Sequence, residues 1–151
     1  MVGGDLAVLT MKAAQEILAG ALAHAGEKQF KRPVAISVLD VRGMPKAFIA
    51  QDGTSLRRAD IAHGKAYAAI ALGYGTRWLV KMTRERPHFV NAVSQTLSGA
   101  LIPVQGGVLI RDENDEIIGA VGVSGDSSDN DEAAAVAGIA AAGLHADTGE
   151  E

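Results

Sequence analysis

From Met11 to about Ala25, apolar residues recur at helical spacing: Ala14, Ile17, Leu18, Ala21, Leu22 and Ala25 share one face. Thr10 stands where a hydroxyl N-cap is wanted, and Gly26 ends the run. The period then changes to two. Val34 to Asp40, "VAISVLD", and Lys46 to Gln51, "KAFIAQ", are alternating, partly β-branched runs separated by "VRGM". They predict an antiparallel hairpin with Gly43 in the tight turn, and Asp52-Gly53 predicts a second turn.

Ser55 is the expected cap of a second helix running to about Leu72. Gly73 and Gly75 break it, and Thr76 caps a short helix expected over Arg77 to Met82. Pro87 suits the first turn of a further helix ending near Thr96. The stretch "SGALIP" reads as a short strand or an extended link. Then come two apolar runs, Val108 to Ile110 and Ile117 to Val123, flanking the polar turn Asp112 to Asp115. Small residues Gly122, Ser124 and Gly125 lead into an alanine-rich helix from about Asp129. The polar tail from Ala146 to Glu151 reads as frayed. Strands joined by short turns mean antiparallel pairing, so the expected class is α+β, a sheet of about five strands with helices packed on it.

Length and composition narrow this further. The 151 residues, 48% hydrophobic and 21% charged, suit one globular domain with its own core, and no repeat or linker divides them. Abundant alanine and glycine bring helices close to a sheet but leave little apolar area per residue, so a homo-oligomer is expected. The net charge is −4, and neither Arg57-Arg58 nor the Arg84 to Arg86 cluster makes the broad basic face that nucleic acid requires. There is no cysteine, which excludes disulfides, thiolate metal sites and a cysteine nucleophile. Met1 to Leu9 lacks the pattern of a secretory signal, and no apolar run is long enough for a bilayer. A cytoplasmic protein without membrane or nucleic-acid partners is the expectation.

Candidate chemistry centres on glycines and histidines. Gly106, Gly107, Ser124 and Gly125 leave room at strand ends, where a ligand can approach the backbone, although turn and packing roles explain them too. Ser124 lacks the spacing of a nucleophile elbow, and Gly119, Gly122 and Gly125 recur at the wrong interval for a dinucleotide fingerprint. Asp129, Asp131 and Glu132 suit the dipole of a helix start. Of the four histidines, His63 is the strongest candidate. Asp60 lies three residues before it on the same helical face, where a carboxylate can fix its tautomer for metal binding or acid–base work; a plain surface pair is the alternative. His88 and His145 read as surface residues. Arg57 and Arg58 can hold an anion through bidentate contacts, with a solvated face as the simpler reading. Tyr67, Tyr74 and Trp78 suit a pocket wall, the core or an interface.

Three ordered segments carry a resemblance. "VAISVLDVRGMPKAFIAQDGT", "ADIAHGKAYAAIALGYGT" and "IPVQGGVLIRDENDEIIGAVGVSGDSSDNDEAAAVAG" resemble the hairpin, second-helix and closing signatures of the GlcG/HbpS-like family, also described as haem-degrading-domain or PduO C-terminal-like. The similarity runs from about Thr10 to Gly143. It implies a profilin-like fold around a five-stranded antiparallel sheet, and assembly as dimers building to octamers. It also implies a small-molecule or haem-binding protein, its ligand between the second helix and the glycine-rich strand ends. His24 on the first helix or His63 would then ligate haem iron. Lys65, at the family's recurrent lysine position, would pair a propionate or instead form an internal salt bridge. The alternatives are a cofactor-independent isomerase, tautomerase or hydratase, and a non-catalytic scaffold. In that enzyme His63, oriented by Asp60, would move a proton, Lys65 would hold an anion, and N–H groups near Gly125 would stabilise charge.

Overall fold

The computed structural model describes residues 8–97 and 101–150. Helix α1 (Met11–Glu27) precedes a hairpin of β1 (Ala35–Asp40) and β2 (Pro45–Ala50). Three helices follow: α2 (Arg58–Leu72), α3 (Thr76–Glu85) and α4 (Pro87–Thr96). The chain closes with β3 (Gly107–Arg111), β4 (Ile117–Ser124), α5 (Ser128–Ala141) and β5 (His145–Asp147). The strands form one antiparallel sheet in the order β2-β1-β4-β3-β5. The class is α+β, as the periodicity implied.

Local chemistry explains most boundaries. The Thr10 hydroxyl accepts from the Ala13 amide at 3.0 Å and caps α1. In the hairpin turn the Asp40 carboxylate accepts from the amides of Arg42 and Met44, at 2.9 and 3.1 Å. Gly43 follows at φ +82°. The Ser127 hydroxyl caps α5 by accepting from Asn130.

Helices cover both faces of the sheet. Ile36, Val38, Val121 and Val123 point into a core shared with Ile17 and Ala21 of α1 and Ala134, Ala135 and Ile139 of α5. Leu39, Leu109 and Ala120 point the other way, against Ala66 and Ala69 of α2. Strand period two sends successive side chains to opposite faces, so each central strand is buried twice. Missing side chains set the helix-to-sheet distance. A Cβ on Gly122 would lie 1.9 Å from the Ala62 carbonyl oxygen, and one on Gly107 would lie 2.3 Å from that of Lys65. The same device joins the two helices of the other face, where a Cβ on Gly138 would lie 2.4 Å from the Ile17 carbonyl oxygen.

Four expectations change. Helix α2 begins at Arg58 rather than beside Ser55, whose carbonyl merely closes a turn to the Arg58 amide. The hydroxyl of Thr76 does not cap α3; it accepts from the Gly107 amide at 2.9 Å and donates to the Gly107 carbonyl at 3.3 Å, and the helix runs on to Glu85. Residues Leu101 to Pro103 form no strand, while Ser98 to Ala100 of the same stretch lie outside the described residues. The tail is not frayed: His145 to Asp147 pair with β3, and Arg111 holds Asp147 at 2.9 Å. Its residues are polar because an edge strand is wet on one side, a pattern that resembles a loop in sequence. Among the described residues no helix is long and apolar enough to cross a membrane.

Asp126 ties the loop before β1 to the start of α5. Its carboxylate accepts from the Asn130 amide side chain at 2.7 Å and from the backbone of Lys31 and Arg32 at 3.1 and 3.0 Å. These bonds, with that from the Ser127 backbone, hold its pKa at about 2, below the usual 3.8. A depressed carboxyl stabilises the fold above the unfolded value, and that contribution is lost as pH falls from about 4 through 2. After allowance for solvent screening the loss is about 1 kcal/mol. Urea denaturation from pH 5 to 2 is expected to show a shallower acid loss in Asp126→Asn than in the wild type.

Candidate functional site

The second helix lies directly on β4 and β3, and this decides the fate of most candidate residues. Lys65 is 2% exposed. Its ammonium donates to the Val123 carbonyl at 2.8 Å and faces the Asp131 carboxylate at 3.4 Å. Asp131 also accepts from the amides of Gly125 at 3.2 Å and Asp126 at 2.9 Å. One buried cluster therefore joins α2, the end of β4 and the first turn of α5. Burial pushes the Lys65 ammonium down, with Asp131 opposing, and pushes the Asp131 carboxyl up, with Lys65 opposing. Beside it, Glu132 pairs with Arg77 of α3.

The packing bears on two expectations here. Of the two roles expected for Lys65, the structure shows the internal salt bridge, with Asp131. The room beside Gly106 and Gly107 is filled by Lys65 and Thr76, and that beside Gly125 by the backbone of Pro33 and Val34. The space directly beside these glycines is thus occupied by the protein itself, and the amides of Gly125 and Asp126 are spent on Asp131 rather than free for an oxyanion. Asp131 and Glu132, expected at the helix start, also neutralise Lys65 and Arg77. Sequence reasoning missed Asp131 because its cation lies 66 residues away.

The histidines stand apart from this cluster. Asp60 turns from His63 and accepts from Arg57 at 2.9 Å, with both side chains exposed. A guanidinium three residues away competes successfully for that carboxylate. His63 is half-buried and stacks on Tyr67, ring centroids 5.9 Å apart at 24°. Tyr67 lies against the β1–β2 turn at Gly43, and the edge strand β2 leaves Phe48 48% exposed on the same side of the sheet as α2. The acid–base triad of His63, Asp60 and Lys65 is thus not assembled. On α1, His24 is half-buried and meets Phe30 edge-on at 5.9 Å. His88 and His145 are exposed. Among the described residues no cluster of three or more histidine or carboxylate side chains is arranged for a metal ion.

The structure also shows a cleft that the sequence did not suggest. About 740 Å³ in volume, it lies between the C-terminal end of α1, the following loop and the end of β2. Leu22, Phe30 and Ile49 line it, with Lys31, Arg32, Gln51 and Asp52 among its polar residues. The side chains of Lys31 and Arg32 are exposed and form no ion pair with the described residues. The sequence signal for this site is the basic stretch after Gly26, with Lys28, Lys31 and Arg32.

An open five-stranded antiparallel sheet, with two helices on one face and α2 on the other, defines the class of α+β protein to which solved structures can be compared. The chain belongs to the HbpS-like family: a family model described as haem degrading protein, HbpS-like, matches residues 9–140. It is similar to the crystal structure of a PduOC–haem complex at TM-score 0.80 and 24% identity, covering 91% of this chain and 96% of that one. It is also similar to Klebsiella pneumoniae protein ORFY, at TM-score 0.77 and 28% identity, covering 89% and 90%. The HbpS crystal structure gives TM-score 0.74 and 25% identity, covering 88% and 89%. No curated protein matches the chain in sequence.

Proposed function

We propose that this protein binds a flat anionic small molecule, with haem as the first ligand to test, in the cleft between α1 and β2. One observation carries the reading: Lys31 and Arg32, without an ion-pair partner among the described residues, line the same cleft as apolar Leu22, Phe30 and Ile49. Such a cleft lies within the usual volume of small-molecule sites, and its amphipathic lining suits a ring that carries carboxylates. Haem has this character, and a relative was solved as a haem complex. Leu22, Phe30 and Ile49 would hold the ring, and Lys31 and Arg32 would pair with its propionates. When bound, haem supplies an iron centre able to exchange electrons and take exogenous ligands.

No histidine lines this cleft; His24 reaches only Phe30 at its boundary. The cleft therefore recognises the ring and its carboxylates rather than the iron. Metal-free protoporphyrin IX is expected to bind with an affinity similar to that of haem. The Lys31→Glu/Arg32→Glu variant should weaken both at least tenfold, and His24→Ala should leave both unchanged. Absorbance and fluorescence titrations measure this. Saturable binding of haem with none of the metal-free ring would overturn the cleft reading.

A second reading rests on His63, whose imidazole makes no hydrogen bond with the described residues and stacks on Tyr67 beside the β1–β2 turn. Here His63 would ligate the iron, and His63→Ala should abolish a haem spectrum that the cleft variant retains. A half-exposed Phe48 at a sheet edge also suits a subunit contact, so we propose a homo-oligomer, which light scattering of the same preparations tests.

A further inference from the structure

Arg57 and Arg58 are neighbours in sequence, yet the fold treats them differently. Arg57 is 79% exposed and pairs with Asp60. Arg58 is half-buried, and its one partner among the described residues is the neutral hydroxyl of Ser124, which accepts from Nη1 at 3.2 Å. Ser124 is fully buried at the end of β4. Taking a guanidinium partly out of water is costly unless it is paired, and buried cations are ordinarily matched with carboxylates. Arg58 has no such match. It also opens α2, where the helix dipole disfavours a cation, and it acts on Lys65 as a like charge. Each of these features opposes the placement, and an anion beside the guanidinium would reverse them all.

We infer that Arg58, steadied by Ser124, anchors the carboxylate of a small organic acid. Charge selects the class. Arg57 is neutralised by Asp60 and Lys65 by Asp131, leaving Arg58 as the uncompensated charge of the group. One positive charge matches a monoanion better than a phosphate dianion. The geometry agrees, because with Nη1 on Ser124 the other N–H donors of the planar fork are available for a carboxylate. Ser124 is a positioning residue, since it is sealed beneath Arg58 and sets the direction of the fork. The site lies at the same end of the sheet as the α1–β2 cleft but on the opposite face, so it is independent of the porphyrin reading.

The test follows arginine Nε–Hε and backbone amide resonances in the folded protein during titration with sodium acetate, lactate or inorganic phosphate at constant ionic strength. Acetate and lactate are expected to give saturable shifts at Arg58 Nε and at the Ser124 amide. Arg58→Gln should weaken them at least tenfold, Ser124→Ala several-fold, and Arg57→Gln not at all. Should Arg58→Gln fail to fold, the wild-type resonances decide, since an anchor shifts Arg58 alone. Equal shifts at all arginines, the same response to chloride, or undiminished binding in Arg58→Gln would overturn the site. Tighter binding of phosphate than of either carboxylate would overturn the assigned class.

Discussion

Asp131→Ala is expected to cost about 3–5 kcal/mol of folding free energy at neutral pH, the usual effect of removing one partner from a buried ion pair. The side chains of Lys65 and Asp131 are each 3% exposed, so water cannot solvate what the substitution leaves behind. The Lys65 ammonium would keep only the Val123 carbonyl, and the amides of Gly125 and Asp126 would lose their acceptor. Lys65→Met should cost a similar amount by stranding the carboxylate. The Lys65→Met/Asp131→Asn double variant should be less destabilised than the sum of the Lys65→Met and Asp131→Asn losses. It removes both charges while an amide oxygen stays available to the backbone donors. Urea denaturation of the single and double variants measures this coupling. A loss below about 1 kcal/mol in Asp131→Ala would show that the pair is not sealed from solvent.

Gly122→Ala should be comparably damaging, although it adds only one methyl group. The added carbon would lie 1.9 Å from the Ala62 carbonyl oxygen and 2.9 Å from the Ala66 amide nitrogen, so it meets backbone rather than a flexible side chain. Helix α2 would have to lift from the centre of the sheet, loosening Leu39, Leu109 and Ala120 beneath it. Overpacking usually costs about 1–3 kcal/mol, and a clash with helix backbone belongs at or above the upper end. Gly26→Ala is the control, because nothing lies within 4 Å of its added carbon. Inside α1 that change should stabilise by up to about 1 kcal/mol. Denaturant midpoints of the two variants are expected to move in opposite directions.

This contrast shows which features were legible in the chain. Gly122 and Gly26 are the same residue type, and nothing beside either one says which touches a helix. The hairpin at Gly43 and the cap at Thr10 were readable, because a turn or a cap depends on residues only a few positions apart. The Ser55 and Thr76 caps were misread because a hydroxyl near a helix start has more than one use. Thr76 spends its hydroxyl on Gly107, 31 residues away. The edge strand at His145 was missed because three residues, two of them polar, are too few to carry a periodic signal.

The candidate site was less legible than the fold. Lys65, Ser124 and Gly125 were all picked out, and the structure places all three at the end of β4, but it turns Lys65 inward and closes the space around the glycines. Asp60 and His63 share a helical face, yet Arg57 takes the carboxylate. The cleft beside α1 draws Leu22, Phe30 and Ile49 from three separate segments, so no local pattern announces it.

By itself the sequence determined the helices, the two hairpins with their antiparallel pairing and the family, all of which follow from hydrophobic period, turn chemistry and ordered motifs. Only the tertiary structure decided which charge meets which, which glycines are filled by a neighbour and where a cleft remains. The physical reason is range: helix and strand formation respond to side chains a few residues apart, whereas neutralising Lys65 or leaving Arg58 unmatched depends on contacts 66 residues away.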